Sequence, residues 1–181
     1  MRNASKSKSK FLSLILRHKP DVIGITLDEN GWTSIAQLID KAHLHGVDIT
    51  LDELHAIIAS DDKQRFAMSS DQKRIRANQG HSLKIDLQLQ PSIPPKVLYH
   101  GTAARNLASI KEQGILKGKR HHVHLSMDQE TACAVGSRYG KPIIIVVDAQ
   151  RMINDKFIFY QTANAVWLTE FVPAAYLRFD Q

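Results

Sequence analysis

Residues 65–77 read Arg65-Phe66-Ala67-Met68-Ser69-Ser70-Asp71-Gln72-Lys73-Arg74-Ile75-Arg76-Ala77. Two short runs that mix apolar and polar residues flank a polar turn at Ser70–Lys73, which predicts a β-hairpin. Upstream the pattern is helical. Phe11, Leu12, Ile15 and Leu16 fall at i, i+1, i+4 and i+5, so residues 9–17 form an amphipathic helix. Pro20 limits its extension and biases Lys19 away from helical geometry. Arg17 and His18 therefore sit at a helix C-terminus, where the macrodipole favours cations. Asn30-Gly31 is a turn signal, with Trp32 behind it as a core anchor. Ser34-x-x-Gln37 and Thr50-x-x-Glu53 are capping-box patterns that open helices over 34–44 and 51–59. Leu51, Leu54, Ile57 and Ile58 give the latter its apolar face. Three helices and then a hairpin is the plan of a winged helix, a nucleic-acid-binding module.

The hairpin's second strand runs on into Asn78-Gln79-Gly80-His81-Ser82. Ile75 is the only large apolar residue from 75 to 82, so this segment has little to bury. A run of Arg, Asn, Gln and His around one glycine suits a surface that meets something polar and anionic. Three fragments share that character: Leu16-Arg17-His18-Lys19, His100-Gly101-Thr102 and Arg120-His121-His122-Val123-His124.

Residues 88–95 hold three of the six prolines and read as an extended linker. The expected division is a lobe over 1–90, a linker over 91–95 and a second lobe over 96–181. In the second half Val97-Leu98-Tyr99 predicts a short strand. Ala103–Gln113 predicts a helix stopped by Gly114, and residues 123–126 another strand. A helix over 128–139 is capped by Asp128. Further strands fall at 142–147, 157–160 and 166–169. The fold class expected is α+β, with a mainly β second lobe.

The chain has 181 residues, 43% hydrophobic and 23% charged, which fits one medium globular domain or two small lobes and excludes a disordered composition. It has no apolar run of the ~18 residues a membrane span needs. The N-terminus lacks the apolar region of a signal peptide, so a cytoplasmic location is expected. The single cysteine, Cys133, excludes an intrachain disulfide and a Cys-rich zinc site. It reads as a small packed residue. A net charge of +6 favours an anionic partner.

Arginine forks match phosphate oxygens, and a neighbouring histidine donates a hydrogen bond or moves a proton. Arg17, His18, Arg65 and Arg76 could converge in this way in the first lobe. His100-Gly101-Thr102, placed after a strand, has a glycine that would let backbone approach a ligand, as in a nucleotide site. His122 and His124 would point to one face of a strand. No HExxH pattern or cysteine ligand accompanies them, so no metal is expected. Rossmann and P-loop glycine patterns are both absent.

Taken together, residues 9–18, Ile75–Ser82, Leu98-Tyr99-His100-Gly101-Thr102, His122-Val123-His124-Leu125-Ser126 and Val166-Trp167-Leu168-Thr169 resemble the RNA 2′-phosphotransferases of the tRNA-splicing type. The resemblance covers residues 9 to 178, nearly the whole chain, in five ordered motifs. It implies an N-terminal winged-helix lobe and a C-terminal NAD-binding lobe of the ADP-ribosyltransferase kind. It also implies removal of an internal RNA 2′-phosphate with NAD⁺ as co-substrate. The phosphate is first linked to ADP-ribose with loss of nicotinamide. It then leaves as ADP-ribose 1″,2″-cyclic phosphate, freeing 2′-OH RNA.

The family's catalytic set falls on Arg17, His18, Arg65 and Arg120. NAD-binding positions fall on His100, Gly101 and Thr102, with Ser126 and Arg138 as further contacts. Arg76, Asn78, Gln79 and His81 are the expected contacts to RNA. The partner implied is RNA carrying a 2′-phosphate; no membrane or obligate protein partner is expected. Two positions depart from the family pattern. Tyr139 stands where His is common, and Ala165 where Gly is common before Val-Trp, which puts local loop geometry in question. The alternatives are an ADP-ribosyltransferase that caps terminal phosphates of RNA or DNA, and a winged-helix nucleic-acid-binding protein without chemistry. A protein-modifying transferase is disfavoured, because Glu170 is not placed as that group's catalytic Glu is.

Overall fold

A computed structural model describes residues 2–61 and 63–179, with side chains from Ser7 onward. It is mixed helix and sheet, and the chain divides into two compact units, Met1–Gln88 and Leu89–Gln181.

The first unit is built on helices α1 (Arg2–Arg17), α2 (Ile35–Leu44) and α3 (Leu51–Ala59). Strands β1 (Thr33–Ser34), β2 (Phe66–Met68) and β3 (Arg74–Ala77) form an antiparallel sheet in the order β1-β3-β2. Leu12, Ile15 and Leu16 of α1 are fully buried, as their spacing predicts. They pack with Leu38, Leu54, Ile57, Phe66 and Ile75 in one core. Burying each such side chain contributes on the order of 1.5–3 kcal/mol. The Thr50 capping box is complete: Glu53 N donates to Thr50 Oγ1 (3.2 Å) and Thr50 N donates to Glu53 Oε2 (3.1 Å). At Ser34 only half of the box forms, Gln37 N donating to Ser34 Oγ at 3.4 Å.

Two expectations change here. Leu51, at the first helical position of α3, is exposed while Leu54 and Ile57 are buried. Trp32 is only partly buried. It lies beside the sheet under the guanidiniums of Arg74 and Arg76, 5.6 and 4.6 Å from its ring centre. It is a cation–π platform and not a core anchor.

The second unit has two three-stranded antiparallel sheets. One is ordered β11-β7-β4, from β4 (Val97–Ala103), β7 (Pro142–Asp148) and β11 (Leu177–Phe179). The other is ordered β6-β9-β8, from β6 (Val123–Leu125), β8 (Phe159–Gln161) and β9 (Trp167–Thr169). A pair, β5 (Ile115–Leu116) with β10 (Phe171–Val172), completes the strands. Helices α4 (Leu107–Gln113), α5 (Gln129–Gly136) and α6 (Ala149–Asn154) connect them. Trp167 is buried at 4% exposure, so it is the core anchor its sequence position predicts.

Several boundaries differ from expectation, among them that of β8, which is Phe159–Gln161 in place of 157–160. β4 does not stop at Tyr99. It pairs with β7 all the way from Val97↔Asp148 to Ala103↔Pro142. The helix expected over 103–113 is a 3-10 turn at Ala104–Asn106 followed by α4. The helix over 128–139 is α5 followed by a 3-10 turn at Ser137–Tyr139. In the proline-rich stretch, Pro91 bridges to Tyr160 and Ser92 N donates to the Phe159 carbonyl (2.8 Å). That stretch is thus laid against β8.

Candidate active site

In the first unit, α1 delivers Arg17 and His18 at its C-terminus. His18 N still donates to the Leu14 carbonyl at 3.0 Å, and Pro20 opens the next 3-10 turn. Arg65 precedes β2, and Arg17 Nη2 donates to its carbonyl at 3.4 Å. The guanidinium of Arg17 also lies 5.9 Å from the Phe66 ring centre. The Arg17 side chain thereby reaches the Arg65 backbone at the helix–hairpin junction, with His18 next in the chain.

The segment 78–82 holds them there. Asn78 N donates to the Arg65 carbonyl (2.9 Å), and Asn78 Nδ2 donates to the Gln64 carbonyl (2.5 Å). Gly80 adopts φ +86, a conformation that favours glycine, and lies against the Arg17 side chain. Ser82 N donates to the Arg17 carbonyl (3.0 Å), and Ser82 Oγ hydrogen-bonds with His18 Nδ1 (3.0 Å).

Asn78 and His81, read in the sequence as surface groups for RNA, are 8% and 2% exposed. Asn78 spends its amide on the loop before β2. The His81 ring packs beside Gly31, in the turn that leads to β1. Gln79 remains partly exposed. Arg76 stands apart from Arg17 and Arg65. Strand alternation puts it on the opposite face of the sheet from the buried Ile75 and Ala77, over Trp32. Burial there lowers its pKa, and Asp28 opposes the shift.

In the second unit, β4 and β6 meet where Tyr99 and Ser126 exchange backbone hydrogen bonds (2.9 and 2.8 Å). His100 therefore lies next to Ser126. Its Nδ1 is 3.1 Å from the His124 carbonyl. A carbonyl only accepts, so Nδ1 carries the proton, and Nε2 of the neutral ring is an acceptor. Burial depresses the His100 pKa. The His124 carbonyl works against that, and the charge of Arg120 adds to it. Arg120 is thus close enough to His100 to act on it, and is itself exposed.

The neighbouring residues are engaged otherwise than expected. Thr102 is 6% exposed, and its hydroxyl accepts a hydrogen bond from Asn106 Nδ2 (3.1 Å). A Cβ on Gly101 would overlap the Ala132 carbonyl of α5. The close approach that Gly101 permits is therefore made by a helix of this chain. Arg138 lies exposed on the 3-10 turn after α5.

His124 lies on β6, and His122 immediately precedes it. His122 packs edge-on against Tyr160 at 5.4 Å, and burial, then the nearby His121 and Lys117, lower its pKa against the pull of Glu170. Among the described residues no group of three or more His, Cys, Asp or Glu could hold a metal ion. Cys133 is unpaired and partly buried on α5.

Two residues escaped the sequence reading. Ser82 was quoted only as the end of a polar run, and its bond to His18 spans 64 positions, a separation no local pattern reveals. Asp61 was not singled out at all, yet its buried carboxylate pairs with Arg65.

Comparison with known proteins identifies the family. Residues 3–171 match the sequence model described as "RNA 2'-phosphotransferase, Tpt1 / KptA family". A protein of Hahella chejuensis named "Probable RNA 2'-phosphotransferase" is 54% identical over 172 residues, 95% of this chain and 92% of that one. A protein of Rhodopirellula baltica with the same name is 53% identical, over 96% of this chain and 95% of the relative. One from Flavobacterium johnsoniae, again so named, is 47% identical over 98% and 97%. The chain belongs to the RNA 2′-phosphotransferase, Tpt1/KptA family.

Proposed function

We propose that this chain is an NAD⁺-dependent RNA 2′-phosphotransferase, with Arg17, His18, Arg65 and Arg120 as its catalytic residues. The observation that carries the assignment is the contact of the Arg17 side chain with the Arg65 backbone, beside a His18 held by Ser82, in a chain of this family. When bound, NAD⁺ supplies an anomeric carbon that bonds to the RNA 2′-phosphate oxygen as nicotinamide leaves; a ribose hydroxyl then displaces the RNA 2′-oxygen from phosphorus, giving ADP-ribose 1″,2″-cyclic phosphate and 2′-OH RNA. Charge spreads over the phosphoryl oxygens as the phosphate transfers, and preorganised guanidiniums stabilise it without a metal. His18 donates to the phosphate or carries a proton in the second step.

His100 fits a ribose-bearing ligand. Its ring is neutral, and Nε2 can accept from a hydroxyl while Nδ1 is held by the His124 carbonyl. Ser126 beside it, and Arg138, are the further NAD⁺ contacts. Gly101 and Thr102 support that place from within, the glycine by admitting α5 and the threonine by fixing Asn106. In the first unit, Gln79 and Arg76 are the groups left to meet RNA, with Asn78 and His81 holding the loop beneath Gln79.

Three helices and a sheet of order β1-β3-β2, whose β2–β3 hairpin follows the last helix, support a winged-helix reading of residues 1–90. The paired small sheets of residues 96–181 support an ADP-ribosyltransferase-like reading. We place the protein in the cytoplasm; no helix among the described residues is long and apolar enough to cross a membrane.

The test is a 2′-phosphorylated oligonucleotide incubated with and without NAD⁺, followed for nicotinamide and for the cyclic-phosphate product. Both should appear only with NAD⁺. Arg120→Ala should fold as the parent does and stop product formation; full activity in that variant overturns its assignment. RNA that keeps ADP-ribose on a terminal phosphate would instead identify a capping transferase.

A further inference from the structure

We infer that Asp61, a residue outside the proposed catalytic set, positions Arg65 and determines which edge of its guanidinium faces the phosphate. This rests on the reading of Arg65 as a phosphate ligand.

The Asp61 side chain is 5% exposed and that of Arg65 is 30% exposed. A carboxylate so buried is costly unless it is paired and hydrogen-bonded. Asp61 is both. Oδ2 accepts from the Arg65 backbone N–H (2.7 Å), and Oδ1 accepts from the Lys63 N–H (3.2 Å). Arg65 Nη1 donates to Oδ1. One carboxylate thus grips the backbone and the side chain of the same arginine.

The turn between them is tight. Gln64 N donates to the Asp61 carbonyl (2.7 Å), and Gln64 adopts φ +41. Asn78 closes the other side, through Nδ2 on the Gln64 carbonyl and its own N–H on the Arg65 carbonyl.

The consequence is directional. With Nη1 spent on Asp61, Arg65 keeps Nε and Nη2, which have no protein partner among the described residues. These two groups form the side-on fork that engages a phosphate with two parallel hydrogen bonds. A tethered fork costs little reorganisation when charge develops on the phosphate. The carboxylate also partly balances the guanidinium, so Asp61 exchanges some attraction for geometry.

The experiment measures single-turnover conversion of the 2′-phosphorylated oligonucleotide with saturating NAD⁺. The proteins are the parent, Asp61→Asn, Asp61→Glu, Arg65→Ala and the double variant Asp61→Asn/Arg65→Ala, each checked by thermal melting. Asp61→Asn should lower the rate about 10- to 100-fold, the cost of a misplaced catalytic group, with the KM for NAD⁺ unchanged. Asp61→Glu should recover part of the loss. In the Arg65→Ala background Asp61→Asn should cost less than twofold, because Asp61 acts only through Arg65.

An equal loss in both backgrounds overturns the inference, and so does full activity of Asp61→Asn. If Asp61→Asn does not fold, the double variant, which leaves no buried charge alone, decides: folding of the double variant supports the pairing and its failure overturns it. Absence of NAD⁺-dependent turnover in the parent would defeat the functional reading itself, a result distinct from all of these.

Discussion

His18 and His100 are both flanked by residues proposed to act on substrate, yet they are held in opposite ways. His18 stands exposed at a helix end, and its Nδ1 meets a side-chain hydroxyl, Ser82 Oγ. A hydroxyl can donate to the ring or accept from it, so this contact fixes the position of Nδ1 without selecting a tautomer. His100 lies in the middle of a seven-residue strand, and its Nδ1 meets a backbone carbonyl. That contact admits one tautomer of the neutral ring, and burial outweighs the carbonyl's pull toward protonation. The first arrangement suits a group that handles protons. The second suits a group that must stay neutral while it recognises a ligand. More generally, the candidate residues of the first unit are placed by bonds across loops, and His100, Gly101 and Thr102 of the second by the sheet ladder itself.

The contrast predicts different failures. The largest effect belongs to Gly101→Ala. A methyl group there collides with the backbone of α5, which cannot turn aside as a side chain could. The strand would have to leave register with β7 or the helix would have to lift. We expect a loss of more than about 3 kcal/mol, at the severe end of overpacking. The protein should be insoluble or its thermal midpoint lowered by many degrees. A variant that melts within a degree or two of the parent would show that β4 and α5 are not packed as described.

Ser82→Ala should do the reverse and leave folding alone. Ser82 is exposed, and its backbone bond to Arg17 survives the change. Only the His18 contact is lost. Turnover should fall about tenfold, a fraction of what a general acid–base group contributes. Ser82→Thr, which keeps the hydroxyl, should retain most of the activity. Equal loss in both variants would point to the loop and not to the hydrogen bond.

What could be read from the sequence follows the same division. Periodicity placed the buried face of α1 and, apart from Leu51, that of α3, because each stripe spans neighbours three and four apart. The hairpin was legible because its turn is local. The role of 78–82 was only half legible. Its polarity was plain, but polarity marks groups that bind something, whether substrate or the protein's own backbone. Asn78 and Ser82 bind residues 14 and 64 positions away, and no local signal carries such pairings. Gly101 misled for a related reason. A glycine in a strand signals close approach without naming what approaches, and here it is a helix about 30 residues further along the chain. β4 was cut short in the reading because His100-Gly101-Thr102 lacks the alternation of a half-buried strand.

A smaller effect comes from pH acting on His100. Its pKa is depressed in the fold, chiefly by burial. The unfolded chain therefore binds more protons than the folded one once pH drops below about 6.5, the ordinary histidine value. The stability that neutral His100 contributes is present above that pH and is lost as pH falls toward its lowered pKa. The slope from this one group cannot exceed about 1.4 kcal/mol per pH unit. Melting midpoints between pH 5 and 7 should fall on acidification, and His100→Gln should flatten part of that fall. An unchanged slope would assign the acid sensitivity to other groups, His122 first, since burial lowers its pKa also.

The smallest effect tests the second unit at a loop, where its ladder does not reach. Ala165 stands where the family commonly has glycine, and it adopts φ +58. The turn is tight. Ala165 N donates to the Thr162 carbonyl (2.9 Å), and Thr162 Oγ1 accepts from Val166 N at 3.1 Å. Thr162 N in turn donates to the Val166 carbonyl at 3.0 Å. Those bonds hold the left-handed geometry against the roughly 1–2 kcal/mol that an L side chain costs there. Glycine removes that cost but gives the unfolded chain more freedom, which returns about 0.5–1 kcal/mol. Ala165→Gly should therefore stabilise by no more than about 1 kcal/mol, read as a slightly higher denaturant midpoint with an unchanged slope. Turnover should not change, because Trp167 and Leu168 keep their pairing with β6. Destabilisation by this substitution would mean that residue 165 does not occupy the left-handed region. The departure from the family pattern would then reflect a differently shaped loop and not a strained copy of the same one.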